Sequence, residues 1–156
     1  MQAFRDRVDR WLENTVAVLL GAMVLNVSWQ VFTRFVLREP STYTEELARF
    51  LLIWSGLLGA CVAWRRRMHL SIRLFGDTTG DPPRWMARVT LISTAAFSVL
   101  VLFVGGIRLV ALTLQLEQHS AALGWPLGYV YLAVPLTGAI LLFYVLVELF
   151  PGVEEP

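Results

Sequence analysis

The chain has 156 residues, of which 56% are hydrophobic and 16% charged, with a formal net charge of +1 and a strongly positive mean hydropathy. That balance excludes an ordinary soluble domain, and near-neutral charge argues against a nucleic-acid partner. Cys61 is the one cysteine, which excludes an internal disulfide and a cysteine-based metal site.

A bilayer's hydrocarbon core of roughly 30 Å takes about 20 apolar residues to cross as a helix. The sequence offers four such stretches, so the expected fold is an all-α membrane protein. Its four transmembrane helices, at approximately 15–36, 47–64, 86–114 and 129–150, form a single domain over residues 1–156. A short N-terminal interfacial helix and an interfacial segment between helices 2 and 3 complete the expected frame. All the basic residues are arginines near the ends of apolar runs, where a membrane boundary places them.

From Met1 to Asn14, Phe4, Val8, Trp11 and Leu12 share one helical face while Arg5, Asp6, Arg7, Asp9 and Arg10 lie elsewhere, the pattern of an interfacial helix. The run from Thr15 to about Val36 shows no convincing small-residue cleavage site, so it is expected to be a retained membrane helix and not a signal peptide. Along it Asn26, Gln30 and Arg34 recur at i, i+4 and i+8. Such a stripe can line a substrate or ion path, or fix packing by interhelical hydrogen bonds. No other helix carries a matching stripe, which favours packing.

Pro40 ends the first connection, and Thr42-Tyr43-Thr44-Glu45 has the form of a capping box. The second helix is expected from near Tyr43 to Trp64, stopping against Arg65-Arg66-Arg67. Glu45 and Arg49 are spaced for an i,i+4 pair. Paired carboxylates at Glu45 and Glu46 suit cation binding or acid–base work. They equally suit the positive end of a helix macrodipole with no further role, or an interaction site on the outer face. Ser55, Gly59 and Ala63, with Gly56 and Ala60 in a parallel row, let this helix approach another backbone closely, within the bundle or against a partner protein.

Met68 to Phe75 is apolar but too short to span, and is expected on the cytoplasmic membrane surface before the breaker-rich Gly76 to Pro83. Asp81 suits a cap for the third helix, Arg84 to about Leu116, which exceeds what a bilayer needs and should tilt or project. Arg108 lies 20 residues beyond Arg88, which would carry it about 30 Å to the opposite interface, there to snorkel or meet an outer carboxylate. A polar turn from Gln115 to Leu123 leads through Gly124-Trp125-Pro126 into the fourth helix, where Pro135 should cause a kink.

Arginines crowd before the first helix and between the second and third, whereas the connection from Gln115 to Tyr129 has none. Both termini are therefore expected in the cytoplasm. The two imidazoles, His69 and His119, fall in connections on opposite sides, so they cannot face one another as haem or zinc ligands. No cofactor, metal or catalytic arrangement is expected. A four-helix membrane enzyme of the glutathione-transferase kind, using the arginine-rich loop for an anionic cosubstrate, is the alternative on length and span count. A stand-alone channel is disfavoured because few polar residues share a face.

Several segments, taken in order, resemble the DctQ-like small membrane subunit of tripartite ATP-independent periplasmic (TRAP) transporters. They are Gln30-Val31-Phe32-Thr33-Arg34-Phe35-Val36, Thr44-Glu45-Glu46-Leu47-Ala48-Arg49, Trp54, Gly59-Ala60 and Arg65-Arg66-Arg67-Met68-His69-Leu70. Gln118-His119-Ser120-Ala121-Ala122-Leu123-Gly124-Trp125-Pro126, Tyr129-Val130-Tyr131 and Pro135 follow. Met68 departs from a frequent glycine, and Ala121 from a proline that commonly follows the serine. The resemblance spans Arg5 to about Phe150. It implies a scaffold or accessory permease subunit in a bacterial inner membrane that works beside a large multi-helix subunit and a periplasmic substrate-binding protein. That transporter would couple organic-acid import to sodium. Candidate docking or structural polar residues are Arg34, Glu45, Glu46, Arg49, His69, Gln118 and Ser120. Candidate helix-packing residues are Asn26, Gln30, Ser55, Gly56, Gly59 and Ala60. Membrane lipids are the remaining expected partners.

Overall fold

The computed structural model describes residues 2–39, 41–68 and 84–149. Among the described residues, four helical spans are long and apolar enough to cross a membrane: Asp6–Leu37, Thr42–Arg66, Arg88–Gln115 and Leu127–Leu149. The all-α, four-span architecture read from the sequence is therefore the one that forms. The expected surface segment after Met68, the Asp81 cap and His69 lie outside the described residues.

Helix α1 (Gln2–Phe32) runs into a wider, π-type turn at Thr33–Leu37, closed by Arg38 in the left-handed conformation at φ 57°. The expected N-terminal interfacial helix is thus not a separate element. No proline or turn residue interrupts the chain around Asn14, and the Thr15 hydroxyl donates to the Trp11 carbonyl at 2.8 Å across the expected boundary. The bundle also buries Asp9, a charge expected off the apolar face. Trp11 is exposed, while Asp9 and Leu12 are buried and Val16 and Leu19 pack partly behind them.

Helix α2 (Thr42–Met68) begins at the proposed capping segment, with the Thr44 hydroxyl donating to the Ser41 carbonyl at 2.9 Å. The third span comprises α3 (Arg84–Phe97), a π-type stretch at Ser98–Gly105 and α4 (Gly106–Gln115). The fourth comprises α5 (Leu127–Tyr131) and α6 (Ala133–Leu149), broken at Leu132. Pro135 explains the break: it has no amide for the Tyr131 carbonyl, and its ring crowds that carbonyl. The Leu136 amide restores the ladder to Leu132 at 3.2 Å.

The third and fourth spans meet backbone to backbone at two glycines. A Cβ on Gly138 would lie 2.8 Å from the Phe103 amide nitrogen, and one on Gly106 would lie 2.8 Å from the Pro135 nitrogen. Gly138→Ala should therefore cost about 1–3 kcal/mol, since backbone and not a flexible side chain must give way. Unfolding in a denaturing detergent titration measures this, with Gly56→Ala as comparison; equal midpoints would contradict it.

Gly56 makes a fair comparison because the rows on α2 are not where this bundle closes. Nothing lies within 4 Å of a Cβ on Gly56 or Gly59, and Gly56 and Ala60 are exposed. Ser55 is buried, but its hydroxyl donates to Leu52 of its own helix. Packing inside the bundle thus leaves Gly56, Gly59 and Ala60 open, and an external partner is the other role expected for them.

The apolar core joins α1, α2 and α6 through Leu12, Leu58, Cys61, Leu141 and Tyr144. Of the four spans, the fourth is the most enclosed by the rest of the bundle and the first the least. Polar contacts concentrate in two layers. One holds Asp9, Arg65 and Tyr144; the other holds Asn26, Glu46 and the 120–123 loop. Along α2, Arg65 and Glu46 are 19 residues apart, about 28 Å at 1.5 Å per residue and close to a hydrocarbon thickness.

Candidate functional site

At the Glu46 end, the connection between the third and fourth spans folds back on itself. The Ser120 amide donates to the Trp125 carbonyl at 2.8 Å, Gly124 to Ser120 at 3.1 Å, and Leu127 to Gln118 at 2.9 Å. Gly124 closes the loop at φ 66°, a left-handed conformation in which a side chain would be strained. The closure leaves three successive amides, of Ala121, Ala122 and Leu123, pointing the same way, an arrangement that binds anions.

Glu46 supplies the anion. Its Oε2 accepts from the Ser120 hydroxyl at 2.9 Å, from the Ala122 amide at 3.0 Å and from the Leu123 amide at 2.8 Å. Its Oε1 accepts from the Ala121 amide at 3.0 Å. The carboxylate also lies in the first turns of α2, where the helix dipole favours negative charge. One half-buried side chain therefore ties the loop to the start of α2 and satisfies amides that apolar surroundings would leave costly.

Of the residues singled out from the sequence, this layer gathers Asn26, Glu45, Glu46, Arg49 and Ser120. The Asn26 amide donates to the Thr44 carbonyl at 2.8 Å, which joins α1 to α2 and matches the packing reading of the polar stripe. Gln30 is half-buried, and its main-chain carbonyl accepts from Thr33. Arg34 leaves the stripe at the π-type turn and is exposed, with its guanidinium 6.0 Å from the Phe35 ring centroid. Glu45 and Arg49 form the expected pair at 3.7 Å, both largely exposed, so its worth is small and its charges remain available. Gln118 shapes the loop through its backbone while its side chain is exposed.

A second cluster was not legible in the sequence. Asp9 is buried, accepts from the Tyr144 hydroxyl at 2.6 Å, and ion-pairs with the Arg65 guanidinium. Beside it Arg66 and Glu13 make a solvent-exposed pair at 3.2 Å. Asp9 stood among five charges in Arg5 to Arg10, and Arg65 among three arginines, so neither looked exceptional. The available signal was that Asp9 shares a face with Leu12 and Val16, at i+3 and i+7. The cluster joins α1, α2 and α6, so its chemistry is structural: each charge or hydroxyl is consumed by another.

Residues 23–155 match the family described as "Tripartite ATP-independent periplasmic transporters, DctQ component". The chain is 30% identical over 155 residues to the sialic acid TRAP transporter small permease protein SiaQ of Vibrio cholerae, covering 96% of this chain and 86% of that one. A putative TRAP transporter small permease protein of Haemophilus influenzae is 24% identical over 140 residues, 90% of this chain and 86% of its own length. The sialic acid TRAP transporter permease protein SiaT of Haemophilus influenzae is 27% identical over 99 residues, 64% of this chain but 15% of that protein.

Proposed function

Because the chain belongs to the DctQ family of TRAP transporter small permease subunits, we propose that it is the scaffold of a sodium-coupled, binding-protein-dependent importer of a carboxylic acid. It is a membrane transport component and not an enzyme, and it associates with a large permease subunit. In the proposed setting it lies in the bacterial inner membrane with both termini in the cytoplasm. The arginine-rich Asp9 end supports that orientation, since positive charge accumulates on the cytoplasmic side. The relatives named for sialic acid, itself a carboxylic acid, support the substrate class.

The observation that carries the scaffold reading is the Glu46 tie. It fixes the periplasmic-end loop to α2 with four hydrogen bonds, all of whose donors belong to the chain itself. A rigid surface of this kind suits a platform beside which another subunit moves substrate. Purified complex in liposomes, supplied with the binding protein and a panel of carboxylic acids that includes sialic acid, tests the whole reading. Uptake that follows an inward sodium gradient is expected; uptake indifferent to sodium, or none by a complex containing all three proteins, would overturn it.

The exposed Glu45–Arg49 pair is proposed to face the periplasmic binding protein. Exchanging the two charges (E45R/R49E) should leave the membrane complex intact and slow uptake about tenfold at low binding-protein concentration and low salt, as expected for electrostatic steering. Unchanged uptake across binding-protein concentrations would remove the docking role.

A further inference from the structure

The place of Arg108 in the bundle contradicts the count along the sequence. The expectation put it at the interface opposite Arg88. Contacts between spans place it elsewhere. Gly106, two residues before it, lies against Pro135, and Pro135 is nine residues from Tyr144 in the Asp9 layer. Cys61 donates to the Thr137 carbonyl, which aligns α2 with the same level of α6. Stepping along these helices at 1.5 Å per residue puts Arg108 roughly 12–16 Å from each of the Asp9–Arg65 and Glu46 layers, which lie about 28 Å apart. It is therefore near the bilayer midplane. The count from Arg88 fails because α3 carries Arg88 roughly 14–18 Å beyond the Asp9–Arg65 layer.

Arg108 is exposed, and among the described residues none forms an ion pair or hydrogen bond with its side chain. Its neighbours on that surface are apolar and exposed: Val104, Ile107 and Leu112. An extended arginine side chain reaches roughly 7 Å from its backbone, so snorkelling from the midplane leaves the guanidinium short of either headgroup layer. Intramembrane arginines occur almost always facing a protein partner or a water-filled cavity. A protein partner is at hand: SiaT carries a segment similar to this chain within a much longer permease polypeptide.

We infer that the Arg108 face of the third span, with Val104 and Leu112, docks on the large permease subunit, and that the Arg108 guanidinium pairs there with a membrane-embedded carboxylate of that subunit. The inference rests on the association stated above and adds the face, the residue and the chemistry of the contact. Burial of the pair removes the arginine from lipid, and its bidentate geometry fixes the rotational setting of the two proteins.

The test is capture of the tagged chain with its large subunit from native membranes in mild detergent. Arg108→Glu and Arg108→Leu should each reduce the large subunit retained at least tenfold, and Arg108→Lys should retain an intermediate amount. Unfolding midpoints of the variant chains should match wild type, because Arg108 is exposed and its side chain has no hydrogen bond or ion pair among the described residues. Photo-crosslinking residues at positions 104 and 112 should yield adducts containing the large subunit. Undiminished capture with Arg108→Glu, or crosslinks to lipid alone, would overturn the inference while leaving the association standing. Failure of the wild-type chain to retain any large subunit would overturn the association itself, and this contact with it.

Discussion

Replacing Asp9 with alanine is expected to destabilise the bundle by about 3 kcal/mol. The change strands the Arg65 guanidinium and the Tyr144 hydroxyl at a site where Asp9 is buried. Breaking a buried ion pair from one side costs about 3–5 kcal/mol, and the lower end applies because the Arg65 side chain is 33% exposed and partly hydrated. Tyr144→Phe removes only the hydroxyl and should cost about 1.5 kcal/mol. Replacing both charged partners with leucine should come closer to wild type than Asp9→Ala, since no charge is then left unpaired. Detergent-denaturation midpoints for the four proteins check the order. An Asp9→Ala protein within about 1 kcal/mol of wild type would show that the pair does not hold the three helices together.

Glu46→Ala is expected to release the loop between the third and fourth spans without unfolding the helices that carry it. The Ser120 hydroxyl and the Ala121, Ala122 and Leu123 amides lose their common acceptor, while the helix pair behind them stays closed at Gly106 and Gly138. Hydrogen exchange at those three amides should accelerate on the order of tenfold or more, with α2 and α6 unaffected. Glu46→Gln should fall near alanine and not near wild type, because half of an amide group is itself a donor facing donors. If the scaffold reading holds, sodium-driven uptake falls with the loop. Exchange rates unchanged from wild type would mean that the loop holds its shape through the Ser120, Gly124 and Gln118 backbone bonds alone.

The two predictions concern residues of unequal legibility. Glu46 stood out in the sequence as a carboxylate at a helix start, and Ser120 as part of a polar turn, but nothing in either segment joined them. They are 74 residues apart, and the bond depends on the second and fourth spans running parallel, with both of their first turns at the same end of the bundle. Asp9 was harder still. A charge among charges reads as solvated surface until a neighbouring helix covers it. Trp11, on the expected interfacial face, is exposed, because the helix turns its Asp9–Leu12–Val16 stripe inward.

Glycine packing divides in the same way. The rows on α2 followed the spacing that favours close helix approach, yet Gly56 and Gly59 meet nothing within 4 Å, whereas Gly106 and Gly138 press on backbone. Spacing shows only that a surface is shallow. Whether another helix occupies it depends on the partner.

The sequence by itself determined the number of spans, the break at Pro135 and the Glu45–Arg49 pair. It also pointed to membership of a family of membrane transport subunits. Each follows from local chemistry: hydropathy over some 20 residues, a missing amide, a four-residue spacing. Only the tertiary structure decided which arginine pairs with a buried aspartate, which carboxylate fills the loop's amides, and at what depth Arg108 lies. Those outcomes depend on the vertical register between helices. Register is set by close contacts such as Gly138 on Phe103 and Cys61 on Thr137, which no interval along one helix encodes.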